Sequence, residues 1–257
     1  MGTDNLKADQ IRLNKEEKVA KKVARRAAKR ALHNQGRSVE IIKPLERILI
    51  VCEGEATEPL YFSFLIEHFK LSTADVKVTG DGHSCPYHVV TDAEKLYNKS
   101  LSNKKVYDKV FCVIDRDSHA RYDEALTYIR TLPSDIFYII NSIPCFELWL
   151  LLHYEYTIKS FDKTAKRSIC ESLIKDDLRR YLPNYEKNIS NLTDEERAYI
   201  FNDDNIKTAI SNAEKGLSYC KKHEIDNPST KIHTLLCILQ ELKDNRKKIL
   251  KYLILFI

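Results

Sequence analysis

The sequence predicts an α/β chain: a mostly parallel sheet flanked by helices, with a basic N-terminal helical arm and a C-terminal helical lobe. Three observations predict it. Short apolar runs alternate with segments of helical periodicity from Arg47 to His153, the pattern of successive βα units. Within Lys109–His119 (KVFCVIDRDSH), Val110 to Ile114 is apolar at successive positions, as a strand buried on both faces requires. Glycine is sparse, at six residues in 257, which disfavours an all-β fold rich in tight turns.

Composition narrows the class. With 43% hydrophobic and 31% charged residues, the chain can bury a sizeable core, and global disorder is excluded. The seven cysteines are scattered, odd in number and without a CxxC pair; this points to a reducing compartment rather than a disulfide framework. The N-terminus is charged, unlike a secretory signal. The apolar tail Tyr252–Ile257 is far shorter than the ~20 residues of a membrane span. The expected location is the cytoplasm. Residues 1–47 hold thirteen Lys/Arg against six Asp/Glu, a net +7 where the whole chain has +5. The basic excess therefore belongs to the arm.

The elements follow in order. Residues 1–45 form the basic arm, helical over Asp9 to Leu32, with a thin apolar stripe at Ile11, Val19, Val23, Ala27 and Ala31. Arg25, Arg26, Lys29 and Arg30 are its candidates for phosphate contact; a solvated helix fits the same composition. Residues 46–160 form the α/β domain. Arg47–Cys52 reads as its first strand and ends in the acidic turn Glu53-Gly54-Glu55. Thr57 or Glu58 caps a helix, with Pro59 in its first turn, running from Leu60 to about Phe69. Ala74–Thr79 alternates as a strand, and Thr91–Lys99 is helical. The strand Val110–Ile114 ends in Asp115-Arg116-Asp117. Helix Tyr122–Leu132 stops at Pro133, and Ile136–Ile140 is the fourth strand. Pro144 then marks the start of a helix that carries Glu147 in its first turn.

Residues 161–257 change character. Ile169, Leu173, Ile174 and Leu178 keep helical spacing. Tyr185 and Lys187 sit in a polar loop. Thr193–Phe201, Asn205–Lys222 and Lys231–Ile257 complete the helical lobe, the last after the breaker Asp226–Thr230.

Open parallel sheets bind ligands beyond the carboxyl ends of their strands. Asp115 and Asp117 share one such end, and Glu53 falls at another. Paired carboxylates form a hard-oxygen patch of the kind Mg²⁺ accepts, although Asp-Arg-Asp also suits the start of a polar turn. Glu147 reads equally as a site residue or as a surface glutamate favoured by the helix dipole.

These blocks together resemble the RloB-like family, a Toprim-related group of bacterial abortive-infection and antiphage defence proteins. The resemblance rests on Ile48–Glu55 (ILIVCEGE), Thr57-Glu58-Pro59 with Tyr61-Phe62, Tyr107-Asp108, Asp115-x-Asp117 and Pro144–His153 (PCFELWLLLH). Tyr185-x-Lys187 and Asn227–Thr230 with His233 add to it. The chain has Ser142-Ile143-Pro144 where the family usually reads Ser-Asn-Pro.

The resemblance implies a Toprim-like fold in which Glu53, Asp115 and Asp117 surround Mg²⁺, with Mn²⁺ as a substitute. Glu147 is added as a fourth acidic member. The expected activity is metal-dependent hydrolysis of phosphodiester bonds in RNA, tRNA included, or in DNA. Asp115 and Asp117 would hold the metal. Glu53 would be general base or further ligand, and Arg116 and Lys187 would contact phosphate. An ABC- or AAA-type ATPase is the expected partner, no membrane is involved, and the oligomeric state stays open. The competing expectation is a non-catalytic nucleic-acid- or protein-binding module that serves such an ATPase.

Overall fold

A computed structural model of the chain describes residues 46–71, 76–80, 85–116 and 121–255, with side chains up to residue 248. The basic arm, with Arg25, Arg26, Lys29 and Arg30, lies outside the described residues, as does Asp117.

Four parallel strands make the sheet: β1 (Ile48–Cys52), β2 (Val76–Gly80), β3 (Lys109–Asp115) and β4 (Phe137–Ile143). A two-residue strand, β5 (Ser229–Thr230), adds antiparallel to β4, giving the order β2-β1-β3-β4-β5. All of β1 is buried, as is β3 from Val110 to Ile114. Burial on both faces is why these two strands read as unbroken apolar runs. The register pairs Cys52 with Gly80 on one side and Val113 on the other, and Asp115 with Ser142. The carboxyl ends of four strands thereby form one rim.

Alternation along the strands sends side chains to two cores. Ile48, Ile50, Cys52, Phe111 and Val113 face the first. Helix α1 (Thr57–His68) covers it with Tyr61, Phe62, Leu65 and Ile66. The short α4 (Glu147–Leu151) adds Leu148, Trp149, Leu150 and Leu151. The later helices α5 (Ile169–Asp176), α6 (Asp194–Ile200), α7 (Asp203–His223) and α8 (Ile232–Leu255) extend the same core. Leu49, Val51, Val110, Cys112 and Ile114 face the second core, under α2 (Pro86–Ser102) and α3 (Tyr122–Ile129).

Three local expectations need correction. Neither Thr57 nor Glu58 caps α1: Ala56 holds that position without a side-chain bond, and both fall inside the helix. Pro144 does not begin α4. The strand runs on to Ile143, the Ile143–Pro144 peptide is cis, and the helix starts at Glu147. The breaker before α8 contains β5, whose Thr230 also accepts from the Ile232 backbone at 3.2 Å. Among the described residues, no helix is long and apolar enough to cross a membrane.

Candidate metal centre at the strand rim

Each member of the site comes from the carboxyl end of a strand or the first turn of the helix that follows. Glu53 continues β1 by one residue: its N–H donates to Val113 O at 3.2 Å. Its Oε2 accepts from the Asp115 backbone N–H at 3.1 Å, which locks the β1 and β3 ends together. Glu58 returns to the rim from the first turn of α1. Its carboxylate lies directly over Gly54, where an added Cβ would stand 2.5 Å from Oε2. Gly80 at the end of β2 packs just as tightly against the Gly54 carbonyl and the Pro59 ring. Gly80 therefore admits no side chain, since backbone and ring stand against it, whereas at Gly54 only the flexible end of Glu58 fills the place of a Cβ.

Glu147 completes the set from the start of α4. Tyr185 O–H donates to its Oε1 at 3.1 Å, and Cys170 S–H donates to its Oε2 at 3.1 Å. Thr57 Oγ1 donates to the Lys187 carbonyl at 2.6 Å, tying the first turn of α1 to the same loop. Lys187 holds the left-handed φ of 50° there.

Burial and charge act together on this group. Glu53, Glu58 and Glu147 are only 7%, 8% and 4% exposed. Burial raises Glu58 to about 7; the neighbouring Glu147 and Glu53 charges add to the shift, and hydrogen bonding within its own turn opposes it. Burial likewise pushes Asp115 well above the ordinary carboxyl range, reinforced by Glu58, Glu147 and Glu53 and opposed by the Phe146 backbone. Lys187 is an exposed residue beside these acids. Partial burial disfavours its charge, yet Cys170, Glu147 and Cys145 hold its ammonium above the ordinary lysine range.

Crowded carboxylates that raise one another are what a bound cation relieves. Their oxygens are hard donors of the kind Mg²⁺ takes. The residues present thus fit the ion that the family resemblance implies. Arg116, in contrast, is exposed and ion-paired with Asp226.

The structure brings Glu53, Asp115 and Glu147 together from three separate segments. It adds Glu58, which the sequence suggested only as a helix cap. The available signal was its spacing: five residues after Glu53, across a turn and one helical step, it returns to the same strand end.

Residues 48–239 match the model of one protein family, described as RloB-like protein. No curated protein and no solved structure matches the chain.

Proposed function

The chain belongs to the RloB-like family, and we propose that it is a Mg²⁺-dependent nuclease of bacterial antiphage defence, hydrolysing phosphodiester bonds in RNA or DNA. The observation that carries this reading is the carboxylate group of buried Glu53 and Glu58 and half-buried Asp115, with Glu147 beside it, at the carboxyl rim of a parallel sheet. A Toprim-like arrangement is the reading of the fold that goes with it.

Glu53 and Asp115 are the proposed ligands, joined by Asp117. When bound, Mg²⁺ would supply charge neutralisation at the phosphoryl oxygens. Through the Asp115 backbone, Glu53 also fixes the distance between two strand ends. Glu58 crosses over Gly54 to close the acidic group from the helix side. Lys187 keeps a cation next to Glu147, where an incoming phosphate needs one. The Thr57–Lys187 bond holds that cation's loop against α1. An ATPase partner and a tRNA substrate belong to this proposal through the family resemblance.

The test is cleavage of tRNA, single-stranded RNA, plasmid and single-stranded DNA with Mg²⁺, with Mn²⁺ and with EDTA. Asp115→Asn protein is carried in parallel. Metal-dependent cutting lost in the variant is the expected result. Undiminished cutting by Asp115→Asn would overturn the assignment. Nucleic-acid binding without turnover, both alone and with an ABC- or AAA-type ATPase partner, would favour the non-catalytic module.

A further inference from the structure

Next to the acidic group, the β4–α4 turn and α5 bring two thiols against a carboxylate. One ligand atom each from Cys145, Glu147 and Cys170 lies within 4.8 Å of the other two, and all three residues are buried. We infer that Cys145, Glu147 and Cys170 form a zinc site. It shares Glu147 with the rim of the acidic group but adds sulfur donors that the hard-oxygen centre lacks, and it does not depend on the nuclease reading.

The donor set selects the metal. Mg²⁺ does not take sulfur, and Cu(I) is satisfied by sulfur alone, whereas Zn²⁺ accepts thiolate and carboxylate together. With Zn–S of ~2.3 Å and Zn–O of ~2.0–2.2 Å, tetrahedral ligands stand roughly 3.5–3.8 Å apart. The three atoms are therefore within about 1 Å of coordinating separation. Cys170 S–H donates to Glu147 Oε2 across 3.1 Å, so thiol and carboxylate already face each other at close range. Binding would replace the thiol proton.

The surroundings orient the three ligands through hydrogen bonds of their own. Tyr185 engages Glu147 Oε1 and leaves Oε2 toward the thiols. A capping box fixes the first turn of α5: Glu171 N–H donates to Ser168 Oγ at 3.2 Å, and Ser168 N–H donates to Glu171 Oε2 at 3.0 Å. Cys170 lies between those two anchors. Two thiolates and one carboxylate would leave a zinc complex one negative charge in excess, and the Lys187 ammonium beside them balances it. Three protein ligands leave the fourth position for water or another small ligand. The site would pin the sheet rim to the helical lobe and hold Glu147 on the zinc side of the boundary.

The experiment needs no nucleic acid, so its outcome is independent of whether the protein cuts. Full-length protein is stripped with a chelator and titrated with Co²⁺ and then Zn²⁺, with metal content measured after gel filtration. With Mg²⁺ in excess over the hard-oxygen centre, the expected result is one equivalent of Co²⁺ giving an intense near-ultraviolet thiolate-to-cobalt band, which Zn²⁺ abolishes. Cys145→Ser and Cys170→Ser should each weaken Zn²⁺ binding beyond the ~10–100-fold that follows loss of a group merely hydrogen-bonded to a ligand. Cys220→Ser, at a thiol bonded to the Pro228 carbonyl, should change nothing. Absence of the thiolate band in the wild-type protein would overturn the inference even if the variants fail to fold. Full binding by Cys170→Ser, or a Cys145–Cys170 crosslink in place of metal, would overturn it as well.

Discussion

The two faces of the sheet use the same strands in opposite ways. The face under α2 and α3 is closed by apolar packing: Val89, Val90 and Ala93 from one helix and Tyr122 and Ala125 from the other meet Leu49, Val110 and Cys112. The face under α1 and α4 is apolar in its depth, but both helices bring a buried glutamate to the rim in their first turns, Glu58 and Glu147. Helix α2 has no acidic residue in its first turn, and the acids of α3, Asp123 and Glu124, are exposed. One face stores stability. The other gives up stability to hold like charges together, as sites built for a cation do.

Substitutions on the two faces should therefore separate activity from stability. The largest expected effect is on the acidic face. Asp115→Asn should lower metal-dependent cleavage by at least ~100-fold, the scale of losing a principal electrostatic group. Its metal-free melting temperature should be unchanged or higher, because one member of a repelling set becomes neutral. A large fall in melting temperature would place Asp115 in the framework instead.

Phe137→Ala tests the opposite face. Phe137 is buried at the far end of β4 and packs edge-on against Tyr97 at 5.2 Å. Truncation should cost ~3–5 kcal/mol in denaturant unfolding while cleavage per folded molecule stays as it was. Lost activity in the remaining folded protein would erase the contrast between the faces.

Glu58→Gln sharpens the comparison through pH. Glu58 titrates at about 7 in the folded chain against an ordinary 4.5, so the native state binds its proton more tightly. Its stabilisation is full below pH 4.5 and is lost as pH rises through 7. In EDTA the Gln variant should overtake the wild type by up to ~3 kcal/mol above pH 7, and saturating Mg²⁺ should shrink the gap. The difference between the two profiles isolates Glu58, because buried His153 acts with opposite sign in both. Burial lowers His153 to about 4, so its contribution is lost as pH falls from 6.5 to 4. Equal pH profiles in wild type and Glu58→Gln would remove Glu58 from the buried charge group.

Gly54→Ala is the mildest probe. The new methyl would meet the Glu58 carboxylate at 2.5 Å, and that flexible end can swing away. Stability should move by less than ~1 kcal/mol. Cleavage should fall roughly 10-fold, since small displacements of positioned groups are costly to rate. Unchanged cleavage would show that the position of Glu58 over Gly54 is irrelevant to turnover.

The β1 and β3 strands were legible because double burial writes an unbroken apolar run that no amphipathic helix produces. Position at a strand end also made Glu53 and Asp115 readable as one group, since parallel strands align their carboxyl ends. The β4–α4 junction was less legible. Asn141 and Ser142 remain in the strand by pairing with β3, and β5 pairs with Ser142 and Ile143 from 86 or more positions away, which a proline could not announce. The capping box Ser168-x-x-Glu171 was written in the chain as an S-x-x-E pattern and marks where α5 begins.

By itself, then, the sequence determined the strand–helix alternation, the membership in a family and the two strand ends that carry Glu53 and Asp115. Those properties are local: they depend on periodicity, on turn chemistry and on residues that end a strand. Only the tertiary structure decided that Glu58 joins the acidic rim and that Lys187 lies beside Glu147. It alone turned Cys145 and Cys170, two scattered thiols in the chain, into neighbours of one carboxylate. Such groups meet through the packing of α1, α4 and α5 on one sheet face, and the energy of packing depends on apolar area, which carries no record of which polar atoms it brings into contact.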